Sequence, residues 1–227
     1  MINLFKNKNT YKNIEKYHLN ERPKDIYIIG NGPSLNKFKP EHFKNKFTIG
    51  TNRSWLWGNT NLLIWRDHRI TEEINFFNIE KNNNTIWVCS ENKSFIKENL
   101  NNYNYTNQLI DYTFNDNWIK NKLNITIKWN GIVFHAITLA KHISANATIH
   151  LIGIDLTLKD SKHHFFYNFP GFNQGYYNKS WDKKNFNFKS RLDMMYKNFE
   201  TMKENGFIFK NYSENSRLKN LFGIEKF

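Results

Sequence analysis

The sequence predicts an α/β protein in which one doubly wound, mostly parallel sheet carries helices on both faces. An apolar run over residues 26–29 ends in the turn Gly-Asn-Gly-Pro-Ser at residues 30–34. Unbroken apolar character is typical of a strand that is covered on both faces, as in a parallel sheet. Similar runs at 47–50, 62–65 and 147–153 alternate with helical patterns. This alternation favours a single Rossmann-like domain with a lid segment.

The turn after the first strand is a candidate ligand site. Gly30 and Gly32 permit positive φ and allow backbone N–H groups to approach a ligand closely, while Pro33 suits a first helical position. A helix that starts here attracts anions. The alternative is an ordinary strand-to-helix turn, because the third glycine of the dinucleotide pattern and the Gly-Lys-Ser/Thr of a P-loop are both missing.

Length and composition predict one globular domain. The 227 residues suffice for one full core, and we assign residues 23–227 to it and residues 1–22 to a lead-in. Hydrophobic residues make up 39% of the chain and the mean hydropathy is -0.73, which is typical of a soluble protein. No apolar run approaches the ~20 residues of a membrane span, and the lead-in lacks the apolar core of a signal peptide. We therefore expect a cytoplasmic protein.

The chain is strongly basic, with a net charge of +13, and this predicts an anionic partner. The scattered lysines and the lack of a zinc-finger, basic-zipper or RNP signature do not favour nucleic acid. An anionic membrane surface is a possible partner, in which case the protein would be peripheral at the inner face of the membrane. The sequence does not determine the oligomeric state. An AT-rich genome would also enrich Lys and Asn. The single cysteine, Cys89, lies in an apolar run, so we expect a buried, inert thiol.

Polar residues follow the second and third predicted strands, at the edge where parallel sheets bind ligands. Asn52 and Arg53 come directly after the strand at 47–50, and Asp67 follows the strand at 62–65. Asn52 and Arg53 are therefore candidates for ligand contact, although an Asx turn or helix cap is an equal alternative for Asn52. Asp67 has a solvated loop as its alternative.

Two helical patterns and a loop complete the expected domain. Asn130 and Gly131 open a helix with a wide apolar stripe, whose amino end points its positive dipole toward the same edge. The following strand leads to Asp155, the best candidate for a site carboxylate, with a turn or cap role as the alternative. Residues 157–189 are rich in Gly and aromatic side chains, which is typical of a lid. We expect an irregular cover at 101–126, a helix at 188–205 and a strand at 207–209.

Three stretches carry a resemblance to a known family. The motif Ile-Ile-Gly-Asn-Gly-Pro-Ser-Leu at 28–35 resembles the opening motif of the bacterial sialyltransferases of glycosyltransferase family 42. It equally resembles a wider superfamily with Maf-type flagellin-glycosylation proteins and archaeal hydroxymethylpterin diphosphokinases. Residues 130–131, which lead to 149–156, and the terminal residues 211–218 match in the same order.

The resemblance implies a glycosyltransferase that needs no cofactor or metal and uses a CMP-sugar-like donor with a glycan or other hydroxyl acceptor. It implies a lid histidine as general base, His164 or His163, because an unperturbed imidazole suits that task. Asp155 joins them as a candidate catalytic residue. The expected nucleotide and sugar contacts are Gly30, Asn31, Gly32, Pro33, Ser34, Asn52, Arg53, Asp67, Asn130, Gly131, Tyr167 and Ser216.

Two other functions stay open on the sequence. A diphosphokinase of the hydroxymethylpterin type would require ATP and magnesium, with carboxylates such as Asp67 and Asp155 holding the ion. A non-catalytic binding module would retain only the nucleotide pocket.

Overall fold

The computed structural model describes residues 22–65, 70, 73, 86–89, 109–111, 123–126, 131–157 and 188–227. In this part of the chain the strands are β1 (Asp25–Ile29), β2 (Phe47–Thr51), β3 (Leu62–Trp65), β4 (Ile86–Cys89), β5 (Leu109–Asp111), β6 (Thr148–Ile152) and β7 (Phe209–Asn211). The α-helices are α1 (Ile132–Ile143), α2 (Phe188–Glu204) and α3 (Lys219–Phe222), and 3-10 helices span Pro33–Lys37, Pro40–Phe43 and Asn52–Leu56.

The strands form one sheet in the order β5-β4-β3-β2-β1-β6-β7, and every pair is parallel. The chain builds the sheet outward from β1 to β5 and then returns to place β6 on the other side of β1. Ligands of open α/β sheets bind outside the strand carboxyl ends at such a reversal. The predicted doubly wound α/β fold is confirmed, and the reversal places its crevice between β1 and β6.

Successive strand side chains point to opposite faces of the sheet, so the core divides into two clusters. The first face packs against α1 and α2 and includes the strand residues Ile26, Ile28, Ile49, Leu62, Ile64, Ile149 and Leu151. The second face packs against the 3-10 segments and includes Tyr27, Ile29, Leu35, Phe43 and Ile152. Because both faces are covered, β1 is apolar without interruption from Ile26 to Ile29, as the sequence predicted.

Two elements differ from the sequence predictions. Residues 109–111, expected in an irregular cover, form β5 because they pair in parallel with Trp87–Cys89. The last strand lies two residues later than predicted and pairs with β6 from Phe209 to Asn211. The sequence placed the start of the next helix at Asn130 and Gly131, whereas helix α1 begins at Ile132 with Gly131 as its N-cap and has no capping side chain.

A partly buried polar cluster around the buried His150 joins β1, β6 and the end of β7 on the second face. The Nε2 atom of His150 lies 2.7 Å from Oδ1 of Asp25, and its Nδ1 atom lies 2.8 Å from the Tyr212 hydroxyl. Burial lowers the pKa of His150 against the opposing effect of Asp25. Burial also raises the pKa of Tyr212 to about 12. A neutral ring therefore donates from Nε2 to Asp25 and accepts the Tyr212 proton at Nδ1.

The backbones approach each other closely where β1 leaves the sheet beside the end of β6. The Gly30 N–H donates to the Ile152 carbonyl at 2.7 Å. A Cβ atom on Gly30 would collide with the Gly153 carbonyl oxygen and the Ile154 side chain. Gly153 itself has a φ of 68°, in the left-handed region that favours glycine. Position 30 therefore requires glycine because a side chain would collide with its neighbours. Position 153 requires glycine because its backbone adopts a positive φ.

We expect Gly30→Ala to lower the free energy of unfolding by roughly 1–3 kcal/mol, the usual result of forcing atoms into a packed interior. The backbone carbonyl of Gly153 cannot move without disturbing β6. Thermal and urea unfolding, followed by circular dichroism, measure the effect. Asn36→Ala is the matched control, because Asn36 is an exposed residue of the nearby 3-10 helix. Equal unfolding midpoints for Gly30→Ala and the parent would contradict the steric explanation.

Candidate functional site

The loops that follow β1, β2, β6 and β7 meet at the carboxyl edge of the sheet. The Asn31 amide nitrogen donates to the Thr51 carbonyl at 2.8 Å, which joins the first two loops. The Gly32 N–H donates to the Gly153 carbonyl at 2.7 Å. The Ser216 hydroxyl donates to the Ile154 carbonyl at 2.7 Å and so brings in the last loop. These contacts assemble the candidate site around the crevice between β1 and β6.

The two glycines of the first loop do not act as the sequence predicted. Gly32 has a φ of -70°, and the described glycines with positive φ are Gly153, Gly206 and Gly223. The N–H groups of Gly30 and Gly32 already donate to backbone carbonyls of residues 152 and 153. The expectation that these amides face a ligand is therefore wrong. The loop after β1 is held against the loop after β6 instead.

The start of the 3-10 helix Pro33–Lys37 binds the carboxylate of Asp155. Pro33 lies in the first turn, as predicted. The Ser34 N–H donates to Oδ2 of Asp155 at 2.8 Å, and the Ser34 hydroxyl donates to Oδ1 of the same carboxylate. Asp155 is 5% exposed. Its contacts correspond to the cap role that the sequence left open, while a catalytic role for Asp155 stays a prediction.

Two asparagine side chains at adjacent strand ends carry a buried oxygen that no described residue meets with a hydrogen-bond donor. The Oδ1 atoms of Asn31 and Asn52 are buried and have no partner among the described residues. The nitrogen of Asn31 is fixed by Thr51, at 2.8 Å from its carbonyl and 3.2 Å from its hydroxyl, so the amide orientation is determined. A buried acceptor without a donor is destabilising by about 1–3 kcal/mol. A ligand that offers O–H or N–H groups would remove that penalty.

Asn52 also has an unusual backbone conformation. Its φ is 46°, a region that asparagine tolerates better than other side-chain-bearing residues. Leu156, beside Asp155, has a φ of 51°. Bulky residues rarely adopt this conformation, and such strain concentrates at functional sites. Both positions lie at the same edge of the sheet, which supports its assignment as the site.

Arg53 is held by a buried ion pair. Its Nε donates to Oε2 of Glu73 at 2.8 Å, and its Nη2 donates to Oε1 at 2.5 Å. Arg53 is 5% exposed and Glu73 is 1% exposed. The predicted contact of Arg53 with a ligand stays a prediction, but this two-point contact already gives the guanidinium a structural partner.

The loop after β7 contributes two buried serines, one of which the sequence did not single out. Ser216, a predicted contact, also accepts a hydrogen bond from the Leu218 N–H at 3.1 Å. Its hydroxyl is therefore engaged within the loops. Ser213 places its hydroxyl oxygen 2.6 Å from the Ser34 hydroxyl oxygen. Its place in the polar turn that follows the last predicted strand was the available signal.

Several predicted residues lie outside the described part of the chain: Asp67, Asn130, His163, His164 and Tyr167. Residues 158–187 of the predicted lid lie outside it as well. Over the residues that the structure does describe, no group of three or more His, Cys, Asp or Glu side chains is placed to hold a metal ion. None of the helices in those residues combines the length and apolar character that crossing a bilayer requires.

Comparison with known proteins finds similarity in structure rather than in sequence. No family model matches the chain, and no curated protein sequence matches it. The sialyltransferase CstII from Campylobacter jejuni, in complex with the substrate analogue CMP-3FNeuAc, is 19% identical, with a TM-score of 0.54 over 89% of this chain and 87% of that chain. CstII in complex with cytidine-5'-monophosphate is 17% identical, with a TM-score of 0.50 over 91% of this chain and 86% of that chain.

The monofunctional alpha-2,3-sialyltransferase Cst-I from Campylobacter jejuni is 15% identical, with a TM-score of 0.49 over 92% of this chain and 82% of that chain. Sequence identities of 17% and 19% to CstII are low, so this similarity establishes the fold alone. The chain shares its α/β fold with a bacterial sialyltransferase along most of the length of both proteins.

Proposed function

We propose that this protein is a sialyltransferase-like glycosyltransferase that moves a sugar from a CMP-sugar-like donor to a hydroxyl of a glycan or other acceptor. The observation that carries the proposal is the pair of buried amide oxygens on Asn31 and Asn52, at adjacent strand ends beside the crevice. The shared fold supports it, because the solved CstII structure holds the analogue CMP-3FNeuAc.

The chemistry of the two asparagines favours a ligand rich in hydrogen-bond donors. A free amide oxygen accepts hydrogen bonds, so it pairs with sugar hydroxyls or with an amino group on a base. A fully ionised phosphate offers no donor to it. The phosphate of a bound nucleotide therefore belongs elsewhere in the crevice, and the start of α1 at Gly131 and the lid residue Tyr167 are the proposed contacts. The predicted contacts of Arg53, Asp67 and Asn130 with the ligand belong to the same proposal.

Glycosyl transfer requires removal of the acceptor proton, stabilisation of the leaving phosphate and exclusion of water. In the proposed reaction the acceptor oxygen bonds to the anomeric carbon as the bond to the nucleotide phosphate breaks. The acceptor proton moves to His164 or His163 of the lid, and the nucleotide monophosphate leaves. The reaction needs no cofactor or metal, because the histidine and the hydrogen-bond donors perform these tasks.

The positive net charge of the chain favours binding to an anionic surface. A net charge of +13 supports contact with anionic lipid headgroups. We propose a cytoplasmic enzyme that works at the inner face of a membrane, where its acceptor would be presented.

Titration with CMP, UDP and ATP, each with and without magnesium, tests the proposed function by calorimetry. We expect CMP to bind without magnesium and more tightly than UDP, because cytosine carries an amino donor where uracil carries an acceptor. Binding of ATP only with magnesium, together with modification of a pterin-like acceptor, would replace the proposal with the diphosphokinase function. CMP binding without turnover of any nucleotide sugar would indicate a binding module.

Asn52→Gly separates the backbone role of this residue from its side-chain role. Glycine adopts the left-handed conformation freely, so we expect an unfolding midpoint close to that of the parent. Loss of the amide oxygen should weaken CMP-sugar affinity by roughly 3- to 10-fold, the usual effect of one hydrogen bond. Asn52→Ala is the companion variant, and its backbone strain should also lower stability by ~1 kcal/mol. Unchanged affinity in Asn52→Gly would remove Asn52 from the ligand contacts.

His164→Ala should lower turnover by roughly 10²–10⁴-fold, the usual contribution of a general base, with CMP affinity nearly unchanged. The nucleotide would be held by Asn31, Asn52 and the start of α1, whereas His164 would act on the acceptor proton. Steady-state transfer rates and CMP titration measure the two effects separately. His163→Ala provides the internal control. If both variants transfer sugar as fast as the parent, neither histidine is the base.

A further inference from the structure

We propose that Asp155 is a positioning residue: with Ser34 and Ser213 it forms a hydrogen-bonded relay that holds the loop after β1 and thereby orients Asn31 toward the ligand. The proposal rests on the proposed function for the identity of that ligand. It assigns Asp155 a task other than general base and adds Ser213, which lies in the family-like stretch 211–218 but was not among the predicted contacts.

Both oxygens of the Asp155 carboxylate are already used inside the protein. Oδ2 accepts the Ser34 N–H at 2.8 Å, and Oδ1 accepts the Ser34 hydroxyl. A Cβ atom on Gly32 would lie 2.5 Å from Oδ2 and 2.7 Å from Cγ, so the loop covers the carboxylate without a gap. Asp155 is only 5% exposed, so an acceptor hydroxyl would have to compete with Ser34 for the carboxylate oxygens.

The hydroxyl protons of the relay have one consistent direction. A carboxylate is an acceptor only, so the Ser34 hydroxyl donates its single proton to Asp155. The Ser34 oxygen, 2.6 Å from the Ser213 oxygen, must then accept the Ser213 proton. Ser34 is 6% exposed and Ser213 is 1% exposed, which excludes solvent from both hydroxyls. The relay therefore runs from Ser213 through Ser34 to Asp155.

Backbone bonds hold Asn31 on both sides along the chain, and the relay secures the residues that follow. Before Asn31, Gly30 is bonded to the Ile152 carbonyl, and after it Gly32 is bonded to the Gly153 carbonyl. Ser34 then closes the segment through Asp155. With the Asn31 nitrogen bound to Thr51, its oxygen keeps one orientation only while these contacts hold.

The loop after β7 is connected to Asp155 and Ser34 by hydrogen bonds of its backbone as well as by the Ser213 hydroxyl. The Ser213 N–H donates to Oδ1 of Asn211 at 3.3 Å, and the Ser216 N–H donates to the Ser213 carbonyl at 3.1 Å. The Arg217 N–H donates to the Asp155 carbonyl at 3.0 Å. Strand ends on both sides of the crevice are therefore connected through Asp155.

Asp155→Asn distinguishes positioning from base catalysis. The asparagine oxygen can still accept the Ser34 N–H, and its NH₂ group can donate to the Ser34 oxygen. Ser34 would then donate to Ser213, so the relay reverses its proton direction and keeps all its hydrogen bonds. We expect Asp155→Asn to retain turnover and CMP affinity within about 3-fold of the parent, whereas loss of a general base would lower turnover by roughly 10²–10⁴-fold.

Asp155→Ala removes the relay and should weaken CMP affinity by about 10-fold or more, because Ser34 and its loop lose two hydrogen bonds. Ser213→Ala should show a smaller loss in the same direction. Turnover in Asp155→Asn that falls 100-fold or more with unchanged CMP affinity would overturn the proposal, and so would full CMP affinity in Asp155→Ala.

A measurement without ligand separates this proposal from the proposed function. The side-chain NH₂ signals of Asn31 in a ¹⁵N-correlated NMR spectrum should stay in place in Asp155→Asn and shift or broaden in Asp155→Ala. Unmoved Asn31 signals in a folded Asp155→Ala would reject the relay, whatever the protein binds. If Asp155→Ala does not fold, shifted Asn31 signals in Ser213→Ala support the relay and unmoved signals reject it. Failure of the parent to bind CMP would reject only the proposed function.

Discussion

The close contact between the loop after β1 and the loop after β6 is the constraint on which the site depends. Gly30 and Gly32 donate to consecutive carbonyls at the end of β6, and neither position has room for a Cβ atom. The 3-10 helix that follows can then place Ser34 on Asp155. Because the two loops flank the reversal in strand order, their contact shapes the floor of the crevice where ligands of such sheets bind.

This constraint also determines what the site can offer a ligand. Free amides at a helix start would suit a phosphate, but here the Ser34 amide is satisfied by Asp155 and the glycine amides by backbone carbonyls. Within the part of the chain that the structure describes, the amide oxygens of Asn31 and Asn52 are buried acceptors without a donor. The first loop thus acts as a rigid support for a side chain. A motif that looks suited to binding phosphate instead favours recognition of hydroxyl or amino groups.

Two further sets of polar contacts stabilise the segments that carry the loops of the site. The Arg53–Glu73 ion pair follows Asn52 directly and ties its 3-10 helix to the segment after β3. Removing one partner would leave a buried charge unpaired, which is strongly destabilising. The cluster of His150, Asp25 and Tyr212 connects β6 with β1 and with the residue before Ser213. Loop geometry at the edge therefore depends on several parts of the sheet.

The features of this fold that depend on local pattern could be predicted from the amino-acid sequence. The apolar run at 26–29 predicted β1, the runs at 47–50, 62–65 and 147–153 predicted β2, β3 and β6, and the apolar stripe after Asn130 and Gly131 predicted α1. The family motifs directed attention to the carboxyl edge, where Asn31, Asn52, Asp155 and Ser216 do lie. Each of these features depends on residues close together in the chain, whose periodicity is visible without a structure.

The pairing of polar groups at the candidate site could not be predicted from the sequence, because it depends on contacts between distant residues. Ser34 and Asp155 are 121 residues apart, and Ser34 and Ser213 are 179 residues apart, so no local pattern shows that they meet. The strand β5 exists because it pairs with β4 and not because its three residues have a clear period. Hydrogen-bond satisfaction is a property of contacts across the sheet, and for that reason the roles of Gly30, Gly32 and Asp155 required the folded chain.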